Sequence, residues 1–224
     1  MLDNALNEFS NDIFSFALSV FLLILYHVYL AYRVRKDPTY TIQALNRIVR
    51  TRWVETMMEM DKPEVISVQT IHNTILAATF LASTAAVLVV GVLTLSTQRD
   101  ALDLTWHGLN TFGAKQSSVF LIKLFFLLID LIAAFFSFTM SIRIYNNVAY
   151  LINIPPALKH PALSPQRVAR HLNRGGHYYS MGVRAFYFSV PLVFWLFGPH
   201  FMLLATVGLI FLLHKIDHIP KLPE

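Results

Sequence analysis

Residues 119–142 read VFLIKLFFLLIDLIAAFFSFTMSI, an apolar run in which Lys123 and Asp130 are the charged residues. Three further apolar runs of comparable length occupy residues 13–32, 74–95 and 185–213. A helix rises about 1.5 Å per residue, so about 20 apolar residues cross a hydrocarbon core of roughly 30 Å. Backbone groups cannot hydrogen-bond to lipid, so such runs must be helical. The sequence therefore predicts an all-α integral membrane protein with four transmembrane helices packed as a four-helix bundle.

The composition of the chain agrees with this class. It is 55% hydrophobic and 14% charged, with a mean hydropathy of +0.53, whereas ordinary soluble domains are roughly 25% charged. No Ser/Gly-rich or Pro-rich tether divides the 224 residues, so residues 1–224 are predicted to form one membrane domain. There is no Cys, which excludes disulfides, thiolate catalysis and S-palmitoylation.

The distribution of charge predicts an orientation. The leader carries Asp3, Glu8 and Asp12 but no Lys or Arg, unlike a signal peptide with its basic n-region. The loops 33–73 and 143–184 hold 13 of the 18 Lys and Arg residues. By the positive-inside rule both loops are cytoplasmic, and with four spans both termini lie outside. We expect a multi-pass protein of a bacterial inner membrane.

The fourth apolar run contains two features that disturb a helix. Pro191 removes an intrahelical hydrogen bond, and Gly198-Pro199 follows seven residues later. Proline kinks a helix at such positions. The favoured interpretation is one helix over residues 185–213, kinked at Pro191 and Pro199. The alternative splits the run at Gly198 into a re-entrant pair.

The cytoplasmic loops contain helical patterns of their own. From Thr41 to Met60 apolar residues recur every three to four positions, which predicts an amphipathic helix on the inner leaflet. The third span is expected to continue to Asn153. Ser164-Pro165 resembles an N-cap followed by Pro at the first helical position, and Gly175-Gly176 is predicted to end this short helix. Its basic face consists of Arg167, Arg170 and Arg174.

Several strings of the sequence carry a family resemblance. They are Asn46-Arg47 through Arg52-Trp53, Val68-Gln69-Thr70 to Asn73, Ser141 to Tyr145, Tyr179 to Phe188, and Phe197-Gly198-Pro199. Together they resemble the membrane family known as domain of unknown function 599, found in bacteria and plants. The resemblance covers roughly residues 15–215 and implies a four-span fold. It implies no reaction, because the family has no established one.

Polar residues at membrane depth are candidates for function because their burial is costly. Asp130 falls near the predicted bilayer midplane, with Lys123 seven residues earlier and Ser137 seven residues later, so the three share one helix face. One hypothesis is a proton or ion relay. The other is structural: Asp130 bonds a hydroxyl or amide of a neighbouring helix, and Lys123 extends outward to the headgroups.

A second group of residues maps to the cytoplasmic membrane boundary. It comprises Arg52, Trp53, His72, Asn73, Arg143, Tyr145, Tyr179 and Arg184. Arginine binds phosphate through two parallel hydrogen bonds, and Trp and Tyr suit the headgroup level. We predict that these residues, His72 apart, form a lipid-binding or ligand-binding site on which Arg52, Arg143 and Arg184 converge. The alternative is that each Arg meets bulk lipid or helix carbonyls separately.

Histidines allow two weaker hypotheses. His27 and His72 are predicted at similar depth, the minimum geometry for a haem between helices, although interfacial positions are favoured. His214 and His218, with Asp217 between them and His107 across a loop, are weak zinc candidates. We expect neither a cofactor nor a metal.

The remaining sequence features favour association over catalysis. Ala78, Ala82 and Ala86 recur at four-residue intervals, a spacing that permits close helix packing in lipid. No Gly-rich phosphate loop, nucleophile elbow or HExxH motif occurs, and no basic domain suited to nucleic acid. The sequence predicts a non-catalytic membrane scaffold or accessory subunit, a homo-oligomer or partner of another membrane protein, that engages anionic lipid at the cytoplasmic face. The alternative is a small oligomeric channel or transporter for ions or protons that uses Asp130 and Lys123.

Overall fold

The computed structural model describes residues 2–37, 39–60, 64–97, 117–154 and 163–218. Within these ranges the chain forms α1 (Leu2–Lys36), α2 (Ile42–Glu59), α3 (Glu64–Thr97), α4 (Ser117–Leu151), α5 (Pro165–Phe197) and α6 (Pro199–Asp217). An isolated bridge pairs Thr41 with His218, and the described ranges contain no β-strand. The prediction of an all-α protein is confirmed.

Among the described residues five helices, and not four, are long and apolar enough to cross a membrane. They are α1, α3, α4, α5 and α6. Large apolar side chains remain exposed on their outer faces, among them Phe80 at 75% and Phe211 at 73%. A water-soluble monomer rarely exposes so much contiguous apolar surface, so these faces suit contact with lipid.

The fifth spanning helix arises because the chain breaks at Gly198. Gly198 has φ 146° and ψ 161°, a backbone conformation that favours glycine because a Cβ would be strained there. Pro199 then occupies the first turn of α6, where its missing N–H costs no hydrogen bond. Pro191 lies inside α5 without ending it. The prediction of one kinked helix over residues 185–213 is therefore wrong.

The glycine pair of the second loop also behaves differently from expectation. Ser164-Pro165 begins α5 as predicted, but the helix continues through Gly175-Gly176 to Phe197. A Cβ at Gly175 would lie 2.9 Å from the Tyr145 ring, and one at Gly176 would collide with the Arg50 guanidinium. These glycines admit neighbouring side chains against the helix, so the predicted short helix is wrong.

Contacts between helices define two ends of the bundle. At the Trp195 end, which also holds Asp12 and Lys123, α1 and α4 meet the last turns of α5. At the Arg184 end, α6 finishes with Asp217 beside Arg184. Since α5 runs from the Arg184 end to the Trp195 end, α6 returns antiparallel to it.

In the described part of the chain, α1 therefore begins at one end of the bundle and α6 finishes at the opposite end. Asp12 near the N-terminus is at the Trp195 end, whereas Asp217 and His218 are at the Arg184 end, where His218 pairs with Thr41 after α1. Five candidate spans, an odd number, do not fit the prediction of both termini on the outer side, which assumed four; the orientation itself stays a prediction.

Helix α2 packs at the Arg184 end. The Oγ1 of its N-cap Thr41 accepts a hydrogen bond from the Ala44 backbone N–H at 3.2 Å. Val54, Met57 and Met58 are buried against a cluster from the adjoining helix ends that includes Ile144, Val148 and Leu172. The predicted helix is confirmed; its position on the inner leaflet stays a prediction.

The small residues of α3 are used within the bundle. Ala78 and Ala82 are buried together with Ala85, while Ala86 is half-buried. Ala82 and Ala85 pack in one cluster with Phe138 of α4. This spacing therefore serves packing within the chain, and oligomerisation stays a prediction.

Candidate functional site

A cavity of about 1160 Å³ opens between α1, α2 and α5 at the Arg184 end. Five arginines from α2 and α5 line it, and no Asp or Glu occurs among its described lining residues; the arginines are Arg47, Arg50, Arg170, Arg174 and Arg184. The last turns of α1 form an apolar wall with Leu30, Ala31 and Val34. We call this space the arginine cavity. Its lining joins a dense positive charge to an apolar surface at one end of the bundle.

Helical periodicity explains how the arginines converge. Arg47 and Arg50 are three residues apart on α2, and Arg170 and Arg174 are four apart on α5, so each pair shares one helix face. Arg167, predicted on the same basic face as Arg170 and Arg174, is not in the lining of the arginine cavity. Two of the three arginines of the predicted face thus point toward this cavity.

Arg50 is the central residue that the sequence analysis missed. Its Nε donates to Oδ1 of Asn173 at 3.2 Å, and Nδ2 of Asn173 donates to Oγ1 of Thr51 at 3.0 Å. The guanidinium rests on Gly176, where a side chain would displace it. Arg50 belongs to the helix predicted between Thr41 and Met60, and the apolar spacing that predicts this helix gives no sign of the glycine opposite Arg50.

Two smaller cavities adjoin the arginine cavity, with volumes of about 470 Å³ and 340 Å³. We call them together the amide cleft. It is lined by α2, α3, α4 and α5 and includes four predicted site residues: Trp53, Asn73, Tyr145 and Tyr179. Asn46, Arg50, Thr74 and Tyr145 line both of its parts. The predicted aromatic and amide residues therefore surround one contiguous cleft.

The three arginines chosen from sequence have different surroundings. Arg184 lines the arginine cavity, and its Nη2 lies 3.6 Å from Oδ2 of Asp217, which also accepts from the Tyr26 hydroxyl at 3.3 Å. Arg52 is exposed and pairs with Glu55 at 3.1 Å. Arg143 is exposed, and neither Arg52 nor Arg143 lines the arginine cavity or the amide cleft. Arg184 therefore shares the arginine cavity with Arg47 and Arg50. The two arginines predicted to converge with it, Arg52 and Arg143, lie elsewhere.

A buried ion pair occupies the Trp195 end. The Nζ of Lys123 lies 2.8 Å from Oδ1 of Asp12, and both side chains are 2% exposed. The Trp195 Nε1 donates to the same oxygen at 2.8 Å, and the ammonium lies 5.4 Å from the Trp195 ring centroid. Phe16 stacks on Trp195 from α1. The expected outward extension of Lys123 is wrong, because Asp12 of the leader neutralises it inside the bundle.

Asp130 has a different environment from Lys123. Its Oδ2 is buried and has no hydrogen-bond partner among the described residues. Ser137, predicted on the same stripe, donates to the Ala133 carbonyl of its own helix at 2.7 Å. The predicted face of Lys123, Asp130 and Ser137 is therefore not a hydrogen-bonded chain in the part of the protein that the structure describes.

Replacing Asp130 by Asn separates a structural from a relay role. Asn has nearly the size of Asp and brings no charge to a site where Oδ2 is buried without a partner, so Asp130→Asn is expected to leave the melting temperature unchanged or raise it by a few degrees. The measurement is thermal unfolding in detergent together with proton flux into protein-containing vesicles. Loss of a flux shown by the unaltered protein, with the melting temperature preserved, would favour the relay.

The histidines show no metal arrangement within the described ranges. His214 and His218 stack with ring centroids 6.0 Å apart, Asp217 is held by Arg184 and Tyr26, and no group of three potential ligands occurs there. His107 lies outside the described residues. Nδ1 of His27 donates to the Leu23 carbonyl at 2.8 Å, and His72 is exposed.

These observations define an all-helical, polytopic membrane protein with an arginine-lined cavity at one end. Residues 14–221 match the model of the family described as Protein of unknown function, DUF599, so the chain belongs to that family. The resemblance stated from sequence is confirmed. No curated protein and no solved structure was found to match the chain.

Proposed function

We propose that the protein is a non-catalytic membrane scaffold or accessory subunit that holds the phosphate of an anionic lipid in the arginine cavity. The observation that carries the proposal is the lining itself: five arginines from two helices, with no acidic residue among the lining side chains. Guanidinium groups match phosphate oxygens in geometry and stay charged at any physiological pH. A cavity with this charge attracts an anion and repels cations.

The apolar wall of the arginine cavity favours a lipid over a soluble anion. Leu30, Ala31 and Val34 belong to α1, a candidate spanning helix, and Ile48 of α2 adds to the same apolar lining. An amphiphile presents a charged head and apolar chains side by side, so it satisfies both kinds of surface. Charged headgroups also gain about 1 kcal/mol per nearby Lys or Arg.

The orientation that fits this role places the Arg184 end in the cytoplasm. Both Arg-rich loops and α2 belong to that end, and Lys215 of α6 adds to its positive charge. The positive-inside rule then gives an outer N-terminus and a cytoplasmic C-terminus. The cavity would face the anionic inner leaflet, and a closed oligomer or a larger complex would present several such sites.

Lipid binding to purified protein tests the proposal. The double variant Arg47→Gln/Arg184→Gln is expected to weaken binding of dioctanoyl phosphatidic acid by about ten- to a hundred-fold, because each charge-assisted hydrogen bond is worth about 1.5–3 kcal/mol before solvent screening. Native mass spectrometry across a lipid titration measures the affinity, with zwitterionic phosphatidylcholine as the reference lipid.

The matched control is Arg52→Gln/Arg143→Gln. It removes the same charge from exposed positions that line neither the arginine cavity nor the amide cleft. If the two double variants weakened binding of phosphatidic acid equally, general surface charge would explain the effect and the arginine cavity would be rejected as the binding site. Equal affinity of the unaltered protein for phosphatidic acid and phosphatidylcholine would reject the proposed function itself.

A channel or transporter is the second candidate, and the observation that favours it is Oδ2 of Asp130, which is buried with no hydrogen-bond partner among the described residues. Such a protein would be a small oligomer, since a bundle of this size encloses little space. The pairing of Lys123 with Asp12 removes one of the two charges that a relay through Lys123 and Asp130 requires. The lipid-binding role is therefore better supported.

A further inference from the structure

The amide cleft shares lining residues with the arginine cavity but differs from it in chemistry. Gln43, Arg50 and Ser180 line both the arginine cavity and the 470 Å³ part of the cleft. Beyond Arg50 no other charged residue lines either part of the cleft. A ligand that reaches from one space to the other passes from several cations to a neutral polar surface.

The polar groups of the cleft both donate and accept hydrogen bonds. They include the side-chain amides of Gln43, Asn46 and Asn73 and the hydroxyls of Tyr179 and Ser180. An amide or hydroxyl group matches another hydroxyl, which also donates and accepts, whereas arginine only donates and matches a phosphate oxygen. The cleft is thus suited to a neutral hydroxylated group, and the cavity to a phosphate.

Arg50 lies where the arginine cavity and the amide cleft share lining residues, and neighbouring residues hold its side chain in place. Asn173 fixes its Nε, Thr51 fixes Asn173, and Gly176 gives the guanidinium room against α5. Next to it, Gly175 admits the Tyr145 ring, which lines both parts of the cleft. The adjacent residues Gly175 and Gly176 therefore leave room for Tyr145 and Arg50 at the boundary between the arginine cavity and the amide cleft.

We infer that the ligand is a phospholipid with a polyol headgroup, whose phosphate lies among the arginines and whose hydroxyls occupy the amide cleft. This rests on the proposed function and narrows its ligand class. An ethanolamine headgroup is disfavoured, because its ammonium would meet Arg50 and no carboxylate in the lining. Phosphatidic acid lacks a group to fill the cleft. Phosphatidylglycerol is the simplest lipid with the required chemistry.

The test compares two lipids that differ only in the hydroxyls. Dioctanoyl phosphatidylglycerol and dioctanoyl phosphatidylpropanol have the same charge and headgroup length, and the second lacks both hydroxyls. Native mass spectrometry of the full chain is expected to give at least tenfold tighter binding of phosphatidylglycerol. Soluble glycerol 1-phosphate, added as a competitor, separates recognition of the headgroup alone from recognition that needs the acyl chains.

Substitutions in the amide cleft test whether its residues cause the preference for phosphatidylglycerol. Asn73→Ala and Tyr179→Phe are expected to reduce the tenfold preference to about twofold, because they weaken phosphatidylglycerol binding more than phosphatidylpropanol binding. Arg184→Gln should weaken both lipids alike, and Asn147→Ala on the exposed side of α4 should change neither. Equal binding of the two lipids, still sensitive to Arg184→Gln, would overturn this inference and leave the proposed function standing. Binding of neither lipid above phosphatidylcholine would overturn both.

Discussion

Replacement of Lys123 by Met is expected to destabilise the protein by about 3–5 kcal/mol, because it removes the Lys123 ammonium from its buried ion pair with the Asp12 carboxylate. The Nζ–Oδ1 distance is 2.8 Å and both side chains are 2% exposed, so little water reaches the pair. Trp195 still donates one hydrogen bond to Asp12, which cannot replace a full positive charge. Helix α4 loses its ion pair with α1, while the hydrogen bond from Trp195 of α5 to Asp12 of α1 remains.

The measurement is the midpoint of thermal unfolding in detergent, with Lys215→Met as the control. Lys215 is exposed on α6, so the same substitution there should shift the midpoint by less than a degree or two. The double variant Asp12→Asn/Lys123→Met removes both charges and should recover much of the loss, since a buried pair replaced as a whole costs little. Equal midpoints for Lys123→Met and Lys215→Met would contradict a structural role of the pair.

Hydropathy predicted the positions of the helices in the sequence better than the contacts between them. The apolar runs at residues 13–32, 74–95 and 119–142 lie within α1, α3 and α4, because burial of a helix in lipid depends on local composition alone. The partner of Lys123 was not predictable in this way. Asp12 was assigned to an outer leader, and nothing in a hydropathy pattern shows that α1 brings it against α4.

The errors at glycine have one physical cause. Gly175-Gly176 resembles a helix stop by local propensity, yet it lies inside α5 because Tyr145 and Arg50 pack against it. Gly198 resembles a kink, yet its φ of 146° ends the helix. Local sequence cannot distinguish a glycine that breaks a helix from one that admits a neighbour. Tertiary packing decides between the two.

The candidate site was also predicted only in part, because local sequence does not show which helix faces pack together. Trp53, Asn73, Tyr145 and Tyr179 were placed at one membrane boundary, and they line one cleft. Their depth follows from the span boundaries, which sequence supplies. Which arginines face that boundary depends on the rotation of α2 against α5, and this contact involves residues far apart in the chain. Arg50 was therefore missed and Arg52 preferred.

Gly182 provides the sharpest test of this packing argument. A Cβ at Gly182 would lie 2.7 Å from the ring of Phe138, which is fully buried on α4 between Tyr179 and Phe186. Because that ring has no free direction to move, Gly182→Ala is expected to destabilise the protein by about 1–3 kcal/mol through overpacking. The change is measured as the midpoint of unfolding in detergent.

The control, Gly208→Ala, is not expected to destabilise the protein. A Cβ added at Gly208 of α6 would meet no atom within 4 Å, so Gly208→Ala should be neutral or stabilising by up to about 1 kcal/mol, the helix-propensity difference. Phe138→Leu combined with Gly182→Ala should recover part of the loss, because the smaller side chain vacates the space. If both alanine variants instead stabilised the protein equally, helix propensity and not close approach to Phe138 would govern stability at Gly182.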